Sequence, residues 1–192
     1  DPRESNPLTH AEHGSYIKVY ENKFGAGQRP PDDEDPSAAQ LAVLRTVLDS
    51  GDVPYADFSV FGPHSMRTFK ARKFNGLVFA ADGTLKPTEL LGPADLDTWL
   101  SCWKVYRLCM LMLSAIDLGI LDRYSSWIVQ LAHKNGGHKT YALLYQCESR
   151  ARNERLLRVR VDMAMEEQTI LASGGAPPWD TSRPWNEAYK RI

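Results

Sequence analysis

The sequence predicts a mainly α-helical protein: a helical bundle with a small irregular or β-hairpin segment packed on it. Three observations carry this. Apolar residues recur at helical spacing over most of the stretch from Asp95 to Ala172. Capping residues and glycine stops punctuate those runs. Between Pro54 and Pro93 the pattern changes to short apolar pieces rich in Phe, Gly and Pro.

Residues 1–36 read as an acidic, flexible leader, with the acid of the chain concentrated there. Within it only YIKVY (Tyr16–Tyr20) alternates like a short strand, and GAGQRPPDDEDP (Gly25–Pro36) has linker composition. Ser37 is placed to cap a helix that carries Leu41, Leu44, Val47 and Leu48 on one stripe and stops at Gly51. FSVF and GLVF follow, and Ala81–Gly83 is a turn signal. Asp95 is placed to cap the next helix, with Trp99, Trp103, Tyr106, Met110 and Leu113 at helical spacing. Another helix carries Leu121, Tyr124, Trp127, Ile128 and Leu131 and ends at Asn135-Gly136-Gly137. A long one runs from about His138 to Ala172, with a stripe of Tyr141, Leu144, Tyr145, Glu148, Arg152, Leu156, Val159 and Met163. A mainly helical domain thus spans 37–172. Residues 173–192 form a Pro/Trp-rich tail and the start of a further helix near Pro184.

With 192 residues, 43% of them hydrophobic and 24% charged, the chain has the composition of a globular protein. A net charge of -1 excludes a globally basic nucleic-acid binder, though not a local patch. Three cysteines form no disulfide framework and suit a reducing compartment. The longest apolar stretch, Leu108–Ile116, is far short of the roughly 20 residues a membrane helix needs. No basic and apolar signal segment opens the chain. The expectation is an intracellular protein, cytoplasmic or nuclear, without membrane contact. The absence of an initiator Met and the ending WNEAYKRI suggest an excerpt of a longer frame.

Candidate sites are few. Asp49-Ser50-Gly51 matches the aspartic-protease triplet, but the residues before it have helical spacing, so a helix stop is the preferred reading. Cys102, Cys109, Cys147 and the histidines lack zinc spacing, and neither metal nor cofactor is expected. No phosphate-loop, dinucleotide, zincin or nucleophile-elbow motif is present, and no catalytic residue is assigned. Trp99, Trp103 and Trp127 read as core; Trp179 and Trp185 read as anchors of the tail.

Two basic clusters stand out. Arg67, Lys70, Arg72 and Lys73 lie in MRTFKARKF, where cations interleave with Phe69 and Phe74 as a single-stranded nucleic acid would require. A solvated edge with the rings turned inward is the preferred reading, because the phenylalanines serve a core as well as a base. The second cluster lies in Arg150–Arg160. Arg150, Glu154, Arg158 and Asp162 form an i,i+4 ladder of alternating sign, which leaves Arg155 and Arg160 without helical partners and available for RNA. Glu148 and Arg152 lie on the apolar stripe, where a charged pair is either covered or faces a protein partner.

Four segments resemble a known frame in order and wording: PYADFSVFGPH (Pro54–His64), GPADLDTWLSCWKVYRLCMLML (Gly92–Leu113), YQCESRARNERLLRVR (Tyr145–Arg160) and PWNEAY (Pro184–Tyr189). Together they look like an open reading frame multiplied through repeat-rich genomes of unicellular algae and their relatives. The resemblance implies a mobile-element origin and a Gag-like structural region, although no zinc knuckle is present. The resulting expectation is a non-enzymatic structural or nucleoprotein domain that self-associates and contacts RNA or single-stranded DNA. The alternatives are a protein-interaction module using Glu148 and Arg152, or an aspartic-protease-like fragment using Asp49.

Overall fold

A computed structural model describes residues 7–64 and 70–192. The element order is α1 (His10–Phe24), α2 (Ala38–Asp49), β1 (Lys73–Phe79), β2 (Leu85–Leu91), α3 (Leu96–Met112), α4 (Leu118–Lys134), α5 (Tyr141–Arg150), α6 (Leu156–Ala172) and α7 (Pro184–Arg191). The fold is mainly α with one antiparallel hairpin, as the periodicity and punctuation predict. Among the described residues no helix is long and apolar enough to cross a membrane.

Helix α3 is the axis of the core. It buries ten side chains, Trp99, Cys102, Trp103, Val105, Tyr106, Leu108, Cys109, Met110, Leu111 and Met112. A helix apolar over most of its circumference is stable only when neighbours enclose it. Helices α1, α2 and α4 pack on α3, and α7 packs on α4 and α6. Trp99 and Trp103 stack at 5.3 Å, and Trp103 stacks on Tyr124 of α4 at 5.0 Å. Asp95 caps α3, its carboxylate accepting the Thr98 N–H at 2.8 Å.

The predicted start of α2 is exact in chemistry. Ser37 and Gln40 form a reciprocal capping box, satisfying two N-terminal amides. The helix ends at Asp49 and the chain turns at Gly51 with φ +74°, so Asp49-Ser50-Gly51 is a helix stop and not a strand-borne protease loop.

YIKVY is not a strand. Thr9 and Glu12 form a second capping box, and Tyr16–Tyr20 lies inside α1. Ile17 and Tyr20, three apart, are buried against the common core. The alternation that suggested a strand is outweighed by the cap and by this i,i+3 pair. Part of the acidic leader is therefore an ordered, packed helix. FSVF is not a strand either. The Asp57 carboxylate accepts the Ser59 N–H at 2.8 Å and the Asp57 carbonyl accepts from Val60 and Phe61, which winds the segment into a turn with Phe58 inside.

In the hairpin, Phe79 pairs with Leu85 and Lys73 with Leu91 around the Ala81–Gly83 turn. Its inner face lies on α5: a Cβ on Gly76 would come within 2.3 Å of the Ala142 Cβ. Gly92, at the end of β2, has φ +146°, and a Cβ there would sit 2.3 Å from the Tyr145 ring. The tail also packs. Trp185, Ala188 and Tyr189 of α7 are buried, and Arg183 and Asn186 both bond the Asp117 carboxylate at the start of α4.

The long C-terminal helix is continuous, but a π turn (Ala151–Arg155) separates α5 from α6. Trp127, predicted as core, is instead 45% exposed. It lies at the edge of the stripe formed by Leu121, Tyr124 and Ile128 and faces a surface groove.

Replacing Gly92 with Ala combines a positive φ with a collision against a packed ring. Urea unfolding is expected to show a loss of about 2 kcal/mol. A loss below about 0.5 kcal/mol would contradict the close approach.

Candidate interaction surface and a buried ion pair

Glu148 and Arg152, nominated as a partner-binding surface, are inside the protein at 2% and 1% exposure. Arg152 Nε and Nη2 donate to the two Glu148 carboxylate oxygens, and Nη1 donates to the Ala56 carbonyl at 3.0 Å. The guanidinium lies 4.0 Å from the Phe58 ring centre and 5.1 Å from that of Tyr55. The Tyr124 hydroxyl donates to Glu148 at 3.4 Å. The choice left by the sequence, covered or facing a partner, is thus decided by the aromatic residues of two other segments, 54–61 and α4. Burial opposes the charge on Arg152, and the Glu148 carboxylate overcomes it, so the guanidinium is held more firmly charged than usual.

Beside the pair, burial pushes the hydroxyls of Tyr106 and Tyr124 to titrate well above the ordinary range. Tyr106 donates to the Pro54 carbonyl at 2.7 Å and sits 2.9 Å from the Tyr189 hydroxyl. These groups fasten α3, α4, α7 and the 54–61 segment to one another.

Among its described residues, the first basic cluster does not form a patch. Arg67 lies outside the described residues. Arg72 turns inward, its Nη2 donating to the carbonyls of Phe58 and Phe61 and lying 3.3 Å from Cys102 Sγ. Burial pushes the Cys102 thiol up to about 11, against the pull of Arg72. Lys73 is exposed but ion-paired with Glu89 at 2.7 Å. Lys70 is exposed at the start of the hairpin. Phe74 packs on Tyr141 and Tyr145 and is not available to a base. Arg72 is thereby removed as a phosphate contact. Its guanidinium holds the turn at 57–61 against the hairpin.

In the second cluster, Arg150 and Glu154 pair at 2.7 Å as the ladder predicts. Arg155 is exposed, while Arg160 is half-buried on another side of α6. The structure does not bring these two together. Arg155 instead lines a groove of about 610 Å³ with Arg150, Arg158, Trp127 and Cys147. Trp127 and Arg158 escaped the sequence reading because one was assigned to the core stripe and the other to the ladder.

The most distinctive surface is the outer side of α6. Its inner side buries only Leu156 and Met163. On the outer side Leu157, Val161, Met165 and Leu171 are 49%, 50%, 55% and 55% exposed. Leu157, Val161, Ala164, Gln168 and Leu171 follow a 4-3-4-3 spacing, the seam of a helix that packs on another helix. Its flanks are polarised: Arg158 and Arg160 stand in the first half, followed by Asp162 just before the middle, and Glu166 and Glu167 stand in the second. The sequence reading missed this seam because it sought one apolar stripe per helix.

Compared with protein-family models, with curated proteins and with solved structures, the chain matches none.

The buried pair sets a stability test. Glu148→Leu and Arg152→Met each leave one charge uncompensated and are expected to lose about 3 kcal/mol or more in urea unfolding. The double variant should lose less than either single one. Additive losses in the double variant would mean that the two side chains stabilise the fold independently.

Proposed function

We propose that this chain is a non-enzymatic, self-associating structural module whose contact face is the outer side of α6. The single observation that carries the reading is the 4-3-4-3 seam of Leu157, Val161, Ala164, Gln168 and Leu171, apolar at every position but Gln168 and with Leu157, Val161 and Leu171 exposed. Large apolar side chains scattered singly over a surface need no explanation, but a contiguous helical seam does. The charge polarity of the flanks points to a second copy as occupant, because a second α6 running the opposite way meets opposite charge. The Gag-like resemblance, which implies assembly, supports the same reading.

A seam of about four turns makes a small interface, so the association belongs at the weak end of specific contacts. Sedimentation equilibrium from about 10 to 300 µM protein, roughly the range in which such contacts populate, should show a monomer passing to a dimer. Val161→Glu/Met165→Glu, both at exposed sites, should remain monomeric with an unchanged circular dichroism spectrum. A wild-type chain that stays monomeric throughout overturns the proposal.

A second reading, contact with RNA or single-stranded DNA, is favoured by the groove in which Trp127 stands beside Arg155 and Arg158. A ring for stacking and cations for phosphate are what such a strand requires. Binding should weaken steeply with salt. Arg155→Ala/Arg158→Ala should lower the slope of log K against log salt by about 1.4, on the order of 0.7 for each lost phosphate contact. The idea fails if low-salt binding is absent or the slope is unchanged.

A further inference from the structure

We propose, building on the self-association reading, that α6 pairs antiparallel with α6 of a second copy about a two-fold axis beside Ala164. Arg160 of each copy then meets Glu167 of the other.

The argument starts from levels along the helix. The seam from Leu157 to Leu171 is about 21 Å long at 1.5 Å per residue. With the axis beside Ala164, Leu157 of one copy stands at the level of Leu171 of the other. Arg160 stands within one residue, about 1.5 Å, of the level of Glu167. Ala164, the smallest side chain of the seam, falls where the two helices are closest. Arg160 and Glu167 each directly precede a seam residue, Val161 and Gln168, and are seven apart. They occupy the same flanking position of successive repeats, the position whose charges set orientation in paired helices. A parallel arrangement would set Arg160 against the opposite flank of its partner, where Met165 stands, and away from Glu167. Only the antiparallel one places unlike charges together, and it does so twice by symmetry.

The state of these two side chains in the single chain supports the pairing. Neighbouring Glu166 is engaged, bonding Arg191 of α7 at 2.8 Å. Arg160 and Glu167 form no ion pair among the described residues, which leaves both charges for a second copy.

The test is charge exchange read by sedimentation equilibrium on the whole chain, with circular dichroism as a check on folding. Arg160→Glu sets two carboxylates against each other at each end of the seam, and Glu167→Arg sets two guanidiniums. Each should weaken the dimer at least tenfold. Arg160→Glu/Glu167→Arg restores unlike charges only in the antiparallel pair and should return the dissociation constant to within about threefold of wild type, a difference under about 0.7 kcal/mol. A wild-type dimer indifferent to the single exchanges overturns this pairing and leaves the self-association reading standing. The same holds for a double exchange that fails to restore the dimer. A wild-type chain that never dimerises removes both.

Discussion

The rest of the fold depends on one desolvated ion pair. Glu148 and Arg152 come from adjacent turns of one helical run, but their remaining bonding capacity is met by other segments. Ala56 supplies a carbonyl, Phe58 and Tyr55 supply ring faces, and Tyr124 supplies a hydroxyl. Removing two charges from water costs several kcal/mol per ion unless almost every donor and acceptor is satisfied. That requirement fixes where the 54–61 segment, α4 and α5 lie relative to α3. The segment has little regular secondary structure, and Arg72 and Arg152 together organise it by binding its carbonyls. Irregular backbone can be buried here because guanidinium groups supply the donors that a helix or sheet would otherwise provide.

Two helices that carry apolar residues on more than one side meet opposite fates. Helix α3 is apolar over most of its circumference, with only a narrow side at Asp97 and Lys104 in solvent, and is packed by α1, α2 and α4. Helix α6 is apolar on two sides, and the chain covers only one. Its inner contacts are with the π turn and α7, so the seam on its far side stays in solvent. The same physics that buries α3 makes the outer side of α6 the place where association gains most.

Near-neutral net charge conceals a division of labour among the cations. Arg72 and Arg152 serve the interior, while Lys73, Arg183 and Arg191 are held by carboxylates at the surface. Arg155 and Arg158 face an open groove beside an exposed Trp127. Counting bases along the chain does not separate these groups, because the difference lies in what each guanidinium meets after folding.

Much of the secondary structure was legible in the sequence because its signals are local. Ser37, Asp95, Gly51, Gly136 and Pro184 act on the backbone within a few residues, and the stripe of the long C-terminal helix follows from 3.6-residue periodicity alone. YIKVY was misread because alternation over five residues fits a strand and a helix face alike. The capping box that decides it begins seven residues earlier. The candidate surface was legible only in part. The odd placement of Glu148 and Arg152 was visible, but whether the pair was covered or open depended on rings about 30 to 100 positions away. The outward turn of Trp127, the inward turn of Arg72 and the uncovered seam of α6 are likewise decided by packing between distant segments. By itself, then, the sequence determined the helices, their ends and the fold class, because capping and periodicity are short-range. Tertiary structure alone decided which charges were buried and which apolar faces were left open, because burial is a property of neighbours that the chain brings together only on folding.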